Sequence, residues 1–268
     1  MSLPRSYLFV PGTRPERFGK AVASGADEVI LDLEDAVGPG QKEEARGYIT
    51  GWLTGGGRGI VRINAADTEW FAQDVEALAK TPCTGVMVPK ADPESLTIAA
   101  RLLPGRALIA LVESVAGLAQ LRESVRIAGV RRLAFGNLDF ASDARILATG
   151  PALDPARFEI VLASRLANLP RPIEGVTTAL GDAAVLDEDI TRARGLGFGA
   201  KLCIHPAQVA PVNAGFAPSR AEIEQARRVL AALEESGGSV VELDGKMVDR
   251  PLVDQARQIL QDAEAEVG

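Results

Sequence analysis

The chain of 268 residues holds one histidine, His205, which weakens any Ser-His-Asp triad or multi-histidine metal cage, since neither can be assembled without more imidazole. Its two cysteines, Cys83 and Cys203, are too few for a disulfide framework and fit a reduced cytosol, so a cytoplasmic protein is expected. No apolar stretch reaches membrane-spanning length, and residues 5–10 read as a strand without the layout of a signal peptide. A net charge of -7 argues against general nucleic-acid binding. The run Gly55-Gly56-Gly57 lacks the Lys-Ser/Thr of a phosphate loop and reads as a helix-to-strand turn. No Gly-x-Gly-x-x-Gly follows a strand, so the dinucleotide-binding fingerprint is missing too.

What is present is a repeated design. Residues 28–37 run apolar and then present adjacent carboxylates, Glu34 and Asp35. Val61-Arg62-Ile63-Asn64, Val86-Met87-Val88-Pro89-Lys90, Leu111-Val112-Glu113 and Phe135-Gly136-Asn137-Leu138-Asp139 follow the same plan. A strand buried on both faces reads as a near-continuous apolar run, and polar groups at its C-terminal end stand where parallel α/β folds place their sites. Strands are expected at 7–10, 28–37, 59–63, 85–88, 107–112, 132–135, 173–176 and 200–204, with helices between them. Eight alternating units in this length predict an α/β protein with a closed (β/α)8 barrel over residues 1–236. Residues 237–268 are surplus to a barrel: a hairpin about Asp244-Gly245 and a last helix from Pro251. This extension must pack outside the barrel, over its mouth, or on a neighbouring subunit.

Seven stretches in register carry a resemblance over nearly the whole chain. They are residues 5–15, 31–37 and 61–64, Glu113, Phe135-Gly136 with Asp139, residues 199–206, and Gly245-Lys246-Met247-Val248-Asp249. Together they resemble the citrate lyase β-subunit-like (HpcH/HpaI aldolase) family, which includes malyl-CoA and citramalyl-CoA lyases. The resemblance implies a TIM barrel, a Mg2+ ion, a CoA or carrier-protein thioester substrate, and a homo-oligomer, a trimer or a hexamer.

On the residues alone, Glu113 and Asp139 end adjacent strands and can share one hard cation or stand as solvated acids. The resemblance makes them the Mg2+ ligands. Arg62 is suited to gripping a carboxylate, or to pairing with Glu34 or Asp35. The resemblance gives it the carboxylate of an α-keto acid, with Glu34 and Asp35 holding Arg62 or metal-bound water, and a direct catalytic part for them as the lesser reading. Residues 5–20 carry Arg5, Arg14, Arg17 and Lys20 against Glu16, so 4 - 1 = +3 on an acidic chain. Such a patch would attract the polyanionic CoA, or is simply a solvated helix face. The resemblance assigns substrate contact to Phe9, Arg14, Lys20, Ile204 and His205, and the keto-acid pocket to Gly136, Asn137 and Leu138. His205 is alternatively a structural strand-end residue. Asn137 and Leu138 stand where many relatives carry a small or acidic pair, which bears on substrate identity. Asp249 is implied as the acid that protonates the thioester enolate, reaching over from a neighbouring subunit; its alternative is a helix cap before Pro251.

The expected activity is therefore Mg2+-dependent cleavage of a 3-hydroxyacyl-CoA of the citryl, citramalyl or malyl type to acetyl-CoA and an α-keto acid, or the reverse condensation. One alternative is the β subunit of a citrate lyase complex working on an acyl carrier protein. Another, from a different class, is a non-catalytic barrel that binds acyl thioesters. Neither nucleic acid nor membrane is an expected partner.

Overall fold

In the computed structural model, which describes residues 3–235, 241–244 and 246–264, eight parallel strands close into a barrel in chain order. They are β1 (Ser6–Pro11), β2 (Glu28–Asp32), β3 (Ile60–Arg62), β4 (Gly85–Val88), β5 (Ala107–Val112), β6 (Val130–Phe135), β7 (Ile173–Glu174) and β8 (Ala200–Cys203). β1 pairs with β2 on one side and with β8 on the other, so no edge is left open. The expected (β/α)8 barrel is the observed fold.

Alternation along the strands decides what each end of the barrel holds. Tyr7, Ile30, Ile60, Met87, Ile109, Leu111, Ala134, Ile173, Ala200 and Leu202 form one buried cluster, each strand giving alternate residues to the interior. One step further toward the C-terminal ends, the same faces carry Asp32, Arg62 and Glu113, all buried. The strand set is thus apolar through its middle and charged at one rim. At the opposite end the register of β5 and β6 shifts, so that Ile109 lies opposite Arg132. Arg132 closes that floor by bonding the Tyr7 hydroxyl at 3.0 Å and the carbonyls of Pro4 and Arg171 at 2.7 and 2.8 Å.

The helices around the barrel start where the chemistry of the termini allows. Pro15–Val22 begins on a proline, which has no N–H to leave unpaired. Pro93–Leu102 is closed by a reciprocal cap in which Asp92 accepts from Ser95 N and the Ser95 side chain from Asp92 N.

Residues 4–213 make one compact unit, and 1–3 with 214–268 a second. The second takes in the helix Arg220–Glu235, which the sequence reading counts with the barrel. Its stripe of Ala226, Val229, Leu230 and Leu233 clusters with Val253, Ala256, Ile259 and Leu260 of Arg250–Glu264. Two amphipathic helices of this length bury their apolar faces on each other. The hairpin strands β9 (Val241–Leu243) and β10 (Lys246–Val248) pair antiparallel, with Val248 buried in that cluster and Met247 exposed. Asp244 takes φ 53°, the left-handed conformation an Asp-Gly turn needs. Residues 237–240 and Gly245 of the expected hairpin lie outside the described residues. Among the described residues, no helix is long and apolar enough to cross a membrane.

Candidate active site

The rim is organised by Asp32, the last residue of β2, rather than by the Glu34-Asp35 pair after it. Asp32 Oδ1 and Oδ2 accept from Arg62 Nε and Nη2, both at 2.7 Å, as a two-point fork. The same carboxylate accepts from Glu34 N at 2.9 Å and Ala36 N at 3.1 Å, so it also turns the chain into its loop. Arg62 Nη1 is left facing Glu34 Oε2 at 2.9 Å and Asp35 Oδ2 at 3.2 Å, and the guanidinium lies 4.8 Å from the centre of the Phe9 ring. The Glu34 contact is an ion pair without hydrogen-bond geometry. One guanidinium cannot neutralise three acids. Burial therefore pushes Glu34 up to about 8, against the pull of Arg62 and with the help of Glu113, Asp35 and Asp32.

The loop that carries Glu34 is pinned from below. Lys42 Nζ gives its three donors to Leu33 O and Glu34 O, each at 2.8 Å, and to Asn64 Oδ1 at 2.6 Å. Asn64 is held in turn by Asp74, which accepts from its backbone N at 2.9 Å and its side-chain N at 2.6 Å and also pairs with Arg46 at 2.8 Å.

Glu113 and Asp139 come to the same rim from β5 and from the first turn of the helix Asn137–Ala144. Glu113 Oε1 accepts from Lys90 N at 2.6 Å, and Lys90 adopts φ 45° to deliver that bond. A Cβ at Gly136 would stand 2.5 Å from Glu113 Cβ, so only glycine lets the chain pass there. Burial pushes Glu113 up to about 7, opposed by the Lys90 N–H and Arg62 and reinforced by Asp139 and Asp35. Asp139 is raised as well, by burial first and then by Asp35, while Arg62 and Lys90 hold it back. Two acids whose proton affinities are both raised, Glu113 in part by Asp139, would gain from a hard cation between them. Mg2+ takes one or two protein carboxylates and fills its other places with water and substrate oxygens. Among the described residues no three acid, Cys or His groups form a ready cage, so the pair fits Mg2+ better than a metal that needs a complete protein shell.

These groups surround a cavity of about 340 Å3 at the C-terminal ends of the strands. Of the residues expected from sequence, Phe9, Asp35, Arg62, Glu113, Gly136, Asn137, Leu138, Asp139 and Ile204 line it, together with Asp32. Glu34 reaches it through Arg62. Asn137 turns its amide away, donating to Val176 O at 3.1 Å and accepting from Val176 N at 2.8 Å, and so ties the end of β6 to the segment after β7. Arg14 and Lys20 are exposed at either end of Pro15–Val22 and do not line the cavity. His205 caps the short turn Pro206–Gln208, its Nδ1 accepting from Ala207 N at 3.2 Å. Asp249, in the second unit, accepts from Leu252 N at 3.1 Å as a cap of Arg250–Glu264. Sequence reasoning missed Asp32 and Lys42. Asp32 reads as one more residue of an apolar run, and its spacing to Arg62 has meaning only once β2 and β3 are paired, with Asp32 beside Arg62.

Residues 5–206 match the HpcH/HpaI aldolase/citrate lyase family. Over 271 residues the chain is 35% identical to a (3S)-malyl-CoA thioesterase of Cereibacter sphaeroides, covering 97% of this chain and 95% of that protein. It is 38% identical over 266 residues to a citrate lyase subunit beta-like protein of Mycobacterium tuberculosis, covering 96% and 94%. Among solved structures, protein CitE from Mycobacterium tuberculosis, in complex with magnesium, acetoacetate and coenzyme A, superposes with a TM-score of 0.87 at 35% identity and covers 98% of each chain. With a barrel whose acidic rim surrounds one arginine, and with this match along its length, the chain belongs to the HpcH/HpaI aldolase/citrate lyase family.

Proposed function

We propose that the protein is a Mg2+-dependent carbon-carbon lyase that cleaves a 3-hydroxyacyl-CoA to acetyl-CoA and a 2-oxo acid, and that runs the condensation in reverse. The observation that carries this reading is the convergence of Arg62, Glu113 and Asp139 on one cavity at the C-terminal rim. Glu113 and Asp139 hold the ion, as their raised proton affinities suit them to do. When bound, Mg2+ polarises the oxygen that becomes the oxo group, as a Lewis acid. The outer edge of Arg62, kept rigid by Asp32 and backed by Phe9, takes the carboxylate of the oxo acid. As the bond between C2 and C3 breaks, the 3-hydroxyl loses a proton and C2, the carbon next to the thioester carbonyl that becomes the acetyl methyl, gains one. Asp35, on the cavity wall, is suited to the first task. Asp249 of a neighbouring chain is proposed for the second, which makes the working form a homo-oligomer, a trimer by preference, with residues 237–268 laid on a neighbouring barrel. Glu34 orients Arg62. The exposed cations Arg14, Arg17 and Lys20 would draw in the CoA phosphates, with Ile204 and His205 on the far side of the acyl arm. The buried thiols Cys83 and Cys203 suit the cytoplasm.

The test is turnover of citryl-, citramalyl- and malyl-CoA with Mg2+, measuring acetyl-CoA and 2-oxo acid together, with the same acyl groups on a carrier protein as a parallel arm. Release of both products in equal amounts is expected from at least one substrate. Free acid and CoA without carbon-carbon cleavage would replace the lyase reading with a thioesterase one. Absence of any reaction would return the protein to the class of binding barrels.

A further inference from the structure

We infer that the 2-oxo acid taken by this cavity carries a single carboxylate with hydrogen or a small alkyl group at its other end, as glyoxylate and pyruvate do, and that a dicarboxylic oxo acid is disfavoured. The inference rests on the lyase reading and narrows its substrate.

It comes from counting charges around the cavity. Among the residues that line it, Arg62 is the one cation. Its Nε and Nη2 are engaged by Asp32, and Nη1 faces Glu34 and Asp35. What remains is an outer edge able to meet one carboxylate. Asp32, Asp35, Glu113 and Asp139 also line the space, so a second substrate carboxylate would enter a field that is already negative. Lys90 acts on Asp139 but is absent from the lining. The start of the helix Asn137–Ala144 is the other place that favours anions, and Asp139 in its own first turn, with Glu113 beside Gly136, offsets that dipole.

The rest of the wall is apolar: Phe9, Leu111, Leu138, Val176, Leu202 and Ile204. Its one neutral polar side chain, Asn137, has both halves of its amide committed to the backbone of Val176. That latch requires glycine at 175, because a Cβ there would run into the Asn137 amide. Asn137 is therefore a positioning residue. With its oxygen and one N–H engaged by Val176, it fixes Val176 in the wall and keeps one neutral N–H, which brings no charge to offset a second carboxylate. A carboxylate set against such a wall loses its water and gains no counter-charge, which is costly, whereas a methyl group is at home there.

The experiment compares kcat/KM for malyl-, citramalyl- and citryl-CoA, and titrates the Mg2+-loaded protein calorimetrically with glyoxylate, pyruvate and freshly prepared oxaloacetate. Citryl-CoA is expected to be at least about tenfold poorer than the better of the other two, and oxaloacetate to bind correspondingly more weakly. Leu138→Arg, which adds a cation at a half-exposed wall position, should shift the ratio toward oxaloacetate. Equal or better use of citryl-CoA, with tight oxaloacetate binding, would overturn the inference and leave the lyase reading intact. If no thioester is cleaved, the lyase reading fails, and the titration alone decides the preference of the cavity for one carboxylate or two.

Discussion

Two buried arginines, each forked onto a carboxylate at the end of a strand, sit in the same barrel and solve opposite problems. Arg157 gives Nε and Nη2 to Glu174 at 3.0 and 3.2 Å, and Nη1 to Asp154 at 3.0 Å and to Gly150 O. Nearby, Lys201 Nζ donates to Gly175 O at 2.7 Å and feels Glu174 and Asp189. Cations and acids are close to balance there, and the cluster joins the end of β7 to the helix Asp154–Leu166. Arg62 has the same fork and the same depth but faces Asp32, Glu34 and Asp35, with Glu113 close enough to raise Glu34 further. Burial alone does not mark a site. An excess of one charge, here enough to raise the proton affinity of Glu34, points to a site, because such an excess is relieved when a cation binds.

The largest cost to the fold is expected when either arginine is cut away. Arg157→Ala leaves Glu174 buried without its two-point partner, with the Gly175 N–H and the field of Lys201 remaining, and should cost about 3 kcal/mol in urea unfolding. Its kcat/KM should stay within about twofold for the folded fraction, since Arg157 does not line the cavity. Replacing Arg157 and Glu174 together by Met and Leu should recover most of that loss. Arg62→Ala should cost the fold a similar amount and also lower kcat/KM by about a hundredfold, the loss of a charge-assisted bond to substrate. If both variants lost activity in proportion to stability, the contrast between the clusters would have no functional meaning.

Next in size is a pH effect that belongs to the imbalanced cluster. Glu34 ordinarily titrates near 4.5 and is held near 8 in the fold. Between those values the folded chain keeps a proton that the unfolded chain gives up. Stability of the metal-free protein should therefore fall as pH rises from about 5 to 8, with Glu113, raised to about 7, adding to the slope. Glu34→Gln should flatten the curve of urea midpoint against pH, while Arg157→Ala should shift the whole curve without flattening it. A wild-type curve that rises over this range would show Glu34 to be ionised and fully paired with Arg62.

The sequence made some of this legible and hid the rest for identifiable reasons. The alternation of apolar runs and helices points to the closed barrel, because eight strands buried on both faces leave an unmistakable pattern. Polar strand ends point to the rim, and nine of the residues expected there line one cavity. Three things were out of reach. Asp32 and Arg62 stand side by side only through the pairing of β2 with β3. The Asn137 amide could have faced the cavity as easily as Val176, and only the geometry at Gly175 decides it. The helix Arg220–Glu235 follows β8 just as a barrel helix would, yet its apolar stripe is matched by the last helix of the chain. Each is a pairing between distant segments, and periodicity within a segment carries no record of it.

A smaller cost to the fold is expected at the proposed metal pair. Asp139 is partly exposed at the start of its helix, so Asp139→Asn should change stability by less than about 1 kcal/mol. Calorimetric Mg2+ affinity should fall at least about tenfold, because one of two anionic oxygens is lost. Affinity that survives unchanged would show that the excess charge at the rim serves Arg62 alone and not a cation.

The smallest effect on the fold, and the sharpest separation of roles, is expected at Asp249. Its Oδ1 accepts from Leu252 N, and Val253 N bonds to its backbone carbonyl. As a cap it should contribute about 1 kcal/mol, which Asp249→Ala removes. Asparagine caps as well as aspartate, so Asp249→Asn should leave the urea midpoint unchanged. An amide cannot deliver a proton to carbon as an acid can, so the same substitution should lower kcat by about a hundredfold or more while Mg2+ and oxo-acid binding persist. If the acid comes from a neighbouring chain, mixing inactive Asp249→Asn with inactive Arg62→Ala subunits should restore part of the activity, because a mixed oligomer contains sites with both residues intact. Full activity in Asp249→Asn alone would make Asp249 a cap and nothing more. Recovery absent despite demonstrated subunit exchange would confine each active site to a single chain.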